Sequence, residues 1–413
     1  MTPSRSIPPP QQVLVTVSGT DTPGITAALS KVIADAGAEL LDIEQVVVQD
    51  RLTLCLLVGL DGRIGESVLK DLLFTATNMG LELRFKVVDP KESGRDKNAV
   101  RYAITAIGDG MGAKGVLVLS EVLAKEGANI EHIQRLSEDD LASVEIVVSL
   151  SGGEEHAMRL RRLLLEAASS HPDIDIAVQR ETLMRHAKRL IVMDMDSTLI
   201  QMEVIDELAA LHGVADKVSA ITRDAMGGAL PYEESLKLRV AMLEGLEHAK
   251  VVELAQRLPL TEGAKDMLKV LRALGYKTAV ISGGFDVAAG ALKELLGLDY
   301  AYSHRLEVKD GKLTGKVHDP IVGPQRKADL LDAIAQREGI ALEQTIAIGD
   351  GANDLLMLER AGLGIAFHAK PKLKEAADTA LSAGGLDRIL YLLGFRARDI
   401  RDLLATITTN VHV

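Results

Sequence analysis

The chain has 413 residues, 47% of them apolar, with no Trp and few Phe or Tyr, so its length allows two to four domains whose cores must be aliphatic. A formal net charge of −12 argues against a broad surface for nucleic acid or anionic membrane, because phosphate backbones need Lys and Arg. The single cysteine, Cys55, excludes an internal disulfide framework, and its place in the apolar run LTLCLLVGL reads as core packing rather than a reactive thiol.

The opening MTPSRSIPPPQQ, residues 1–12, lacks the apolar segment of a secretory signal and reads as a disordered lead-in. No apolar run approaches membrane-spanning length, and the expectation is a soluble cytoplasmic protein. Residues 13–90 follow the order β-α-β-β-α-β: strand VLVTVSG, loop TDTPG, helix ITAALSKVIADAGA, two strands, a helix and the strand LELRFKVVD. After the charged linker PKESGRDKN, residues 99–180 repeat that order, from VRYAITAIG to DIDIAVQRE. Each copy is a ferredoxin-like unit. In the second copy GMGAKG matches the letters of the dinucleotide fingerprint. A β-α-β-β unit is not the continuing parallel β-α-β that such a site requires, and the first copy has an unpatterned loop in the same place, so the glycines read as turn formers.

Beyond Glu181 the pattern changes. ETLMRHAK reads as a connecting helix, and residues 188–400 read as an α/β domain with a helical insertion at about 204–260. Strands alternating with helices imply a parallel sheet, and Asp310-Gly311 between alternating residues predicts a hairpin.

The chemistry concentrates at predicted strand tips. RLIVMDMDSTLI runs from a buried strand into Asp194 and Asp196, which project to the same side of an extended chain. At about 4 Å and an effective dielectric near 20, two such charges repel by roughly 4 kcal/mol, so something must offset them. Ser282-Gly283-Gly284 ends a second strand, Lys327 opens a helix, and GDGAND places Asp350 and Asp354 after a third strand. Ligands of open α/β sheets bind beyond these carboxyl ends. Converging carboxylates are stable together around a hard divalent cation, and oxygen-only ligands favour Mg2+. Asp194 is then placed to attack phosphorus, and Asp196 to protonate the leaving alkoxide and later deprotonate water. Ser282 and the Gly283 amide would hydrogen-bond phosphoryl oxygens, with Lys327 supplying positive charge.

Asp194–Thr198, Ser282, Lys327 and Gly349–Asp354 resemble the four motifs of the haloacid dehalogenase superfamily. Glu203 in LIQMEVIDELA, Met226-Gly227-Gly228, Tyr232, SLKLRV with Arg239, and HRLEVKDGKLTG resemble its phosphoserine phosphatase family, over residues 188 to about 395. The resemblance implies a Rossmann-like parallel-sheet core with a helical cap that hydrolyses phosphoserine to serine and phosphate, the last step of serine biosynthesis. It implies Mg2+ held by Asp194, the Asp196 carbonyl and Asp350, with Thr198 and Asp354 behind them. Glu203 would meet the substrate ammonium, Arg239 its carboxylate and Asn353 the phosphate region, with Met226 and Tyr232 also binding the substrate from the closed cap. Two positions depart from the family pattern, Tyr232 where Phe is frequent and His304 where Asn is common, and neither is expected to touch the chemistry.

The two N-terminal units resemble ACT domains through their topology and Gly-bearing loops, Gly19 with Asp21 to Gly24 and Gly108 to Gly112. That resemblance implies binding of a regulatory amino acid such as serine, at Gly19 and Gly108, and a homodimer formed through these domains. Two rivals stand beside this reading: a related phosphatase or phosphotransferase for phosphothreonine or phosphohomoserine, and an amino-acid sensor with a vestigial phosphatase core. No nucleic-acid or membrane partner is expected.

Overall fold

The computed structural model describes residues 11–410 except 62–64, 90–97, 110, 139–141, 172, 227–229, 371–372, 375–376 and 378. Ten residues of the expected lead-in and nearly all of the expected linker therefore lie outside the described residues. Gln11 and Gln12, read as lead-in, instead begin the first strand. Contacts divide the chain into two units, 1–97 and 98–413.

The first unit contains β1 (Gln11–Thr20), α1 (Ile25–Asp35), β2 (Glu39–Val48), β3 (Arg51–Leu60), α2 (Gly65–Asn78) and β4 (Glu82–Val88). The strands form an antiparallel sheet in the order β2-β3-β1-β4. Alternation decides which face is covered: Val13, Val15, Val17, Leu52, Leu54, Leu56 and Val58 are buried with Ile25, Leu29, Val68 and Leu72 of the helices. Cys55 falls on the opposite face of β3 and is half-buried, so it is not part of that core. Ile43, Val46, Phe85 and Val87 are also exposed.

The second unit opens with the same topology: β5 (Val100–Ile107), α3 (Val116–Lys125), β6 (Asn129–Arg135), β7 (Ser143–Leu150), α4 (Gly153–Ser169) and β8 (Asp175–Arg180). Antiparallel pairing of β5 with β7 and β8 removes the Rossmann alternative for GMGAKG. Here the sheet does not stop. Thr379 of β15 (Thr379–Leu381) pairs antiparallel with Ala177 of β8, joining the module to the α/β domain in one eleven-stranded sheet.

That domain orders β12-β11-β10-β9-β13-β14-β15, with β9 (Leu190–Met193) lying between β10 (Lys277–Phe285) and β13 (Thr345–Gly349), parallel to both. The other strands are β11 (Tyr300–Lys309), β12 (Lys312–His318) and β14 (Gly364–Phe367). Every residue of β9 is buried, as a central parallel strand requires. Ile191 and Met193 join one core, and Leu190 and Val192 join the core on the other face with Leu331 and Met357. Four helices follow β9: α5 (Val204–His212), α6 (Ala215–Met226), α7 (Tyr232–Ala241) and α8 (His248–Ala255). The hairpin forms where Asp310-Gly311 predicts it, both residues taking positive φ.

ETLMRHAK is not a helix. It makes two successive turns, Arg185 N–H to Thr182 and Ala187 N–H to Met184. Arg185 accounts for this by reaching inward, where its buried guanidinium bonds Glu145 of β7 and, at 3.0 Å, Glu181. Its Nε has no partner. Further ties cross the same junction: Gln179 donates to the Leu392 carbonyl at 2.9 Å, and the Ser382 N–H donates to Asp175 at 2.6 Å.

Breaking a buried ion pair from one side strands the other charge. Arg185→Leu should destabilise the full chain by about 3–5 kcal/mol, read from its urea midpoint. The double variant Arg185→Leu/Glu145→Leu should regain part of that loss; no loss in the single variant would show that the contact does not support the junction.

Candidate active site

The Asp194 N–H donates to the Ile348 carbonyl at 2.9 Å, carrying the β9 ladder to the strand tip. There the chain turns sharply, with Ser197 at φ 56°, a left-handed conformation that few non-glycine residues adopt. Oδ1 of Asp194 accepts the Met195 N–H at 2.8 Å and meets Nζ of Lys327 at 2.9 Å. Lys327 comes from the first turns of α11 (Pro324–Glu338) and is fully buried. Its second partner is Asp354 at 2.6 Å, whose other oxygen accepts the Gly351 N–H at 3.1 Å. Burial opposes the Lys327 charge, yet the Asp194 and Asp354 carboxylates outweigh it and raise the pKa well above the usual ammonium range.

Asp196 is placed differently. Its Oδ1 is buried without a partner, and its carboxyl is pushed well above the ordinary range by burial, then by the Glu203 and Asp194 carboxylates. Burial and the two neighbouring charges thus favour its protonated form, and one of its oxygens has no partner. Glu203 stands at the exposed mouth just before α5, its Oε1 accepting the Ser197 hydroxyl at 2.8 Å. Thr198 is fully buried behind the turn, and its carbonyl accepts the Thr261 hydroxyl at 2.7 Å.

Ser282 is buried at the end of β10, and its hydroxyl oxygen accepts the Gly284 N–H at 2.8 Å, which leaves its own O–H to donate outward. A Cβ on Gly284 would overlap Cε of Met195 and lie 2.9 Å from Oδ2 of Asp196, so the two strand tips approach as closely as glycine allows. The structure thus brings Asp194, Asp196, Ser282, Gly283, Lys327, Asp350 and Asp354 to adjoining strand and helix ends. Asn353 packs over Gly351 beside them. Arg239 lies half-buried on α7, its Nε 3.4 Å from the Ser235 carbonyl and its charge felt at Tyr232 and His304. Met226 ends α6, but its side chain, with Gly227 and Gly228, lies outside the described residues.

Tyr232 and His304, the two positions that depart from the family pattern, both meet the backbone around Gly283. The Tyr232 hydroxyl packs against Gly283 and donates to the Val322 carbonyl at 3.3 Å; His304 bonds the Gly283 carbonyl at 2.9 Å. The sequence reading passed over Ser197, which orients Glu203, and Lys370. The Lys370 N–H donates to the Asp350 carbonyl at 3.3 Å, and its charge is felt at Asp350 and Glu203. Its signal was a fourth strand tip, AFHAKPK after β14.

Asp194, Asp350 and Asp354 present carboxylate oxygens within 4.8 Å of one another. Both oxygens of Asp354 are engaged, by Lys327 and the Gly351 N–H, whereas Asp194 meets Lys327 and the Met195 N–H through Oδ1 alone, which leaves Asp194 and Asp350 as the candidate ligands. Burial first, then the Asp194 and Glu203 charges, push the Asp350 carboxyl up to about 7. An oxygen-only donor set with surplus negative charge fits a hard divalent cation.

Three families match the chain: ACT domains at residues 11–86 and 101–179, and haloacid dehalogenase-like hydrolase at 191–359. A phosphoserine phosphatase from Streptomyces coelicolor is 42% identical over 393 residues, 94% of this chain and 93% of that one. Another from Mycobacterium tuberculosis is 41% identical over 95% of this chain and 96% of its own. Among solved structures, a haloacid dehalogenase family hydrolase from Salmonella enterica serovar Typhi aligns with TM-score 0.59 at 31% identity, covering 71% of this chain and 98% of that one.

Without a cation, Asp350 keeps its proton to about pH 7, against 3.8 for an ordinary Asp. Stability drawn from that protonation is complete below the ordinary value and is lost as pH rises through the folded one. The cation-free melting temperature should therefore fall between pH 5 and pH 8. Asp350→Asn should flatten part of this fall and melt a few degrees higher at pH 8 (about 1 kcal/mol per 2–4 °C). Saturating divalent cation should raise the wild-type value at pH 8 far more than the variant's. A wild-type curve that stays flat would contradict the crowding.

Proposed function

The chain belongs to the phosphoserine phosphatase family of haloacid dehalogenase-like hydrolases, with two ACT domains ahead of the hydrolase domain, and on that premise we propose that it releases phosphate from O-phospho-L-serine with Mg2+, through an aspartyl-phosphate on Asp194. One observation supports this above others: Asp194 is held by Lys327 at 2.9 Å, and beside it Asp196 has a buried, unpartnered oxygen in surroundings that favour its protonated form.

The substrate phosphate enters beside Ser282, Gly283 and Lys327, which hydrogen-bond and neutralise its oxygens. An Asp194 oxygen attacks phosphorus; the bond from phosphorus to the serine oxygen breaks, and Asp196 gives its proton to that oxygen. Asp196, now a carboxylate, takes a proton from water as the water oxygen attacks phosphorus. The bond from Asp194 to phosphorus breaks, and inorganic phosphate leaves. Mg2+ bound by Asp194, the Asp196 carbonyl and Asp350 would add positive charge opposite Lys327. Glu203 and Arg239 suit a zwitterion, one meeting the ammonium and the other the carboxylate. Closure of the helices over the site would exclude water other than the nucleophile.

Regulation and assembly belong to the same proposal. The ACT domains would take an amino acid such as serine near Gly19 and Gly108, and the exposed apolar residues on the first unit's sheet suit a homodimer. Gly108 is a poor place to test this, since a Cβ there would overlap the Asp173 carbonyl. A cytoplasmic setting is supported by the unpaired Cys55.

Phosphate release from L-phosphoserine should require Mg2+, vanish with EDTA, and fall at least about 10³-fold in Asp194→Asn. Turnover that survives Asp194→Asn would remove the nucleophile. Glu203→Gln and Arg239→Lys should raise KM for phosphoserine much more than for an aryl phosphate that lacks the amino-acid groups; equal effects on both would remove the zwitterion reading.

A further inference from the structure

β10 runs parallel to β11 through Ile281, then loses register until Phe285 pairs with His304. Ser282, Gly283 and Gly284 are therefore left out of the ladder. This frees the turn to face a ligand, but removes the bonds that would hold it still. His304, from β11 and fully buried, stands in that gap. The Gly283 carbonyl lies 2.9 Å from its Nδ1, and the Val322 N–H points at its Nε2, also at 2.9 Å.

These two bonds fix the ring. A main-chain N–H can only donate, so Nε2 carries the lone pair and the proton resides on Nδ1, aimed at the Gly283 carbonyl. The neutral ring suits its surroundings: burial disfavours its charge, as do Lys327 and Arg239 nearby. Val322 lies just before Gly323, whose carbonyl accepts the Lys327 N–H at 3.0 Å in the first turn of α11. Tyr232 reaches the same segment through the Val322 carbonyl. One imidazole thus ties the turn that carries Ser282 to the segment that launches Lys327.

We propose that His304 is a positioning residue that fixes the Ser282-Gly283-Gly284 phosphate turn against the start of the Lys327 helix. It touches neither the substrate nor the reacting atoms. Its effect falls on the geometry of the two groups that grip the phosphoryl oxygens, which is most demanding in the transition state. Asn at this position can also donate and accept, whereas Ala can do neither. This inference rests on the phosphatase reading above.

The test uses the full-length chain. Nitrogen-15 spectra of histidine-labelled protein near neutral pH should show one ring, lost in His304→Asn, as the Nδ1-protonated tautomer with a hydrogen-bonded Nε2; the other tautomer or a freely exchanging ring overturns the proposal. With phosphoserine, His304→Ala should lower kcat by between about tenfold and about a hundredfold, with KM changed less than about threefold. His304→Asn should recover most of kcat. A wild-type kcat in His304→Ala overturns the role, as does an Asn variant no better than Ala when both melt at the same temperature. If the wild type releases no phosphate from phosphoserine, the functional reading fails instead, and the tautomer together with weaker binding of inorganic phosphate by His304→Ala still decides the clamp.

Discussion

A fully buried ammonium between two carboxylates organises this molecule. Lys327 lies 2.9 Å from Asp194 and 2.6 Å from Asp354, and none of its side chain meets solvent. Taking such a charge from water costs several kcal/mol, and removing either partner would leave an uncompensated charge inside. The triad binds the tip of β9, the loop after β13 and the first turns of α11 into one piece. The position of Asp194 is thereby set by a buried charge pair.

Around that triad the other carboxyl groups of the site have, among the described residues, no cation of their own beside them. Asp196 has an unpartnered buried oxygen, Asp350 titrates near 7, and Ser197 holds a left-handed backbone to aim its hydroxyl at Glu203. Each feature is locally unfavourable, a carboxyl group crowded by burial and like charge or a backbone held where few residues go. Local conflict of this kind is expected at a functional site, where the rest of the fold supplies the stability. The close approach of Gly284 to Asp196 is as demanding, because a larger residue would separate the Asp196 carboxyl from the Ser282-Gly283-Gly284 turn.

Much of this was legible in the sequence, for identifiable reasons. The apolar run before Asp194, the alternation in VLVTVSG and RLTLCLLVGL, and the turn at Asp310-Gly311 are local signals that tertiary structure had no cause to override. Carboxylates and glycines at three strand tips located the site because parallel sheets converge their ligands there. ETLMRHAK failed because its helical periodicity was weaker than the pull of Glu145 on Arg185, a partner 40 residues away. The contacts of His304 and Tyr232 were not legible, because they are made to backbone atoms of distant segments, Gly283 and Val322, which no residue pattern reveals. Ser197 and Lys370 were passed over for a similar reason, one acting through a strained turn and the other from a fourth tip.

The pairing of Thr379 with Ala177 gives the two duplicated N-terminal copies unequal evolutionary freedom. Among the described residues the first copy closes its own core and shares no strand with the hydrolase sheet, so loss of that copy leaves every strand of the long sheet paired. The second copy has become a margin of the hydrolase sheet itself; its loss would expose the edge of β15, an invitation to aggregation. Of two copies with one topology, one is thus held in place by the hydrolase sheet and the other is closed around a core of its own.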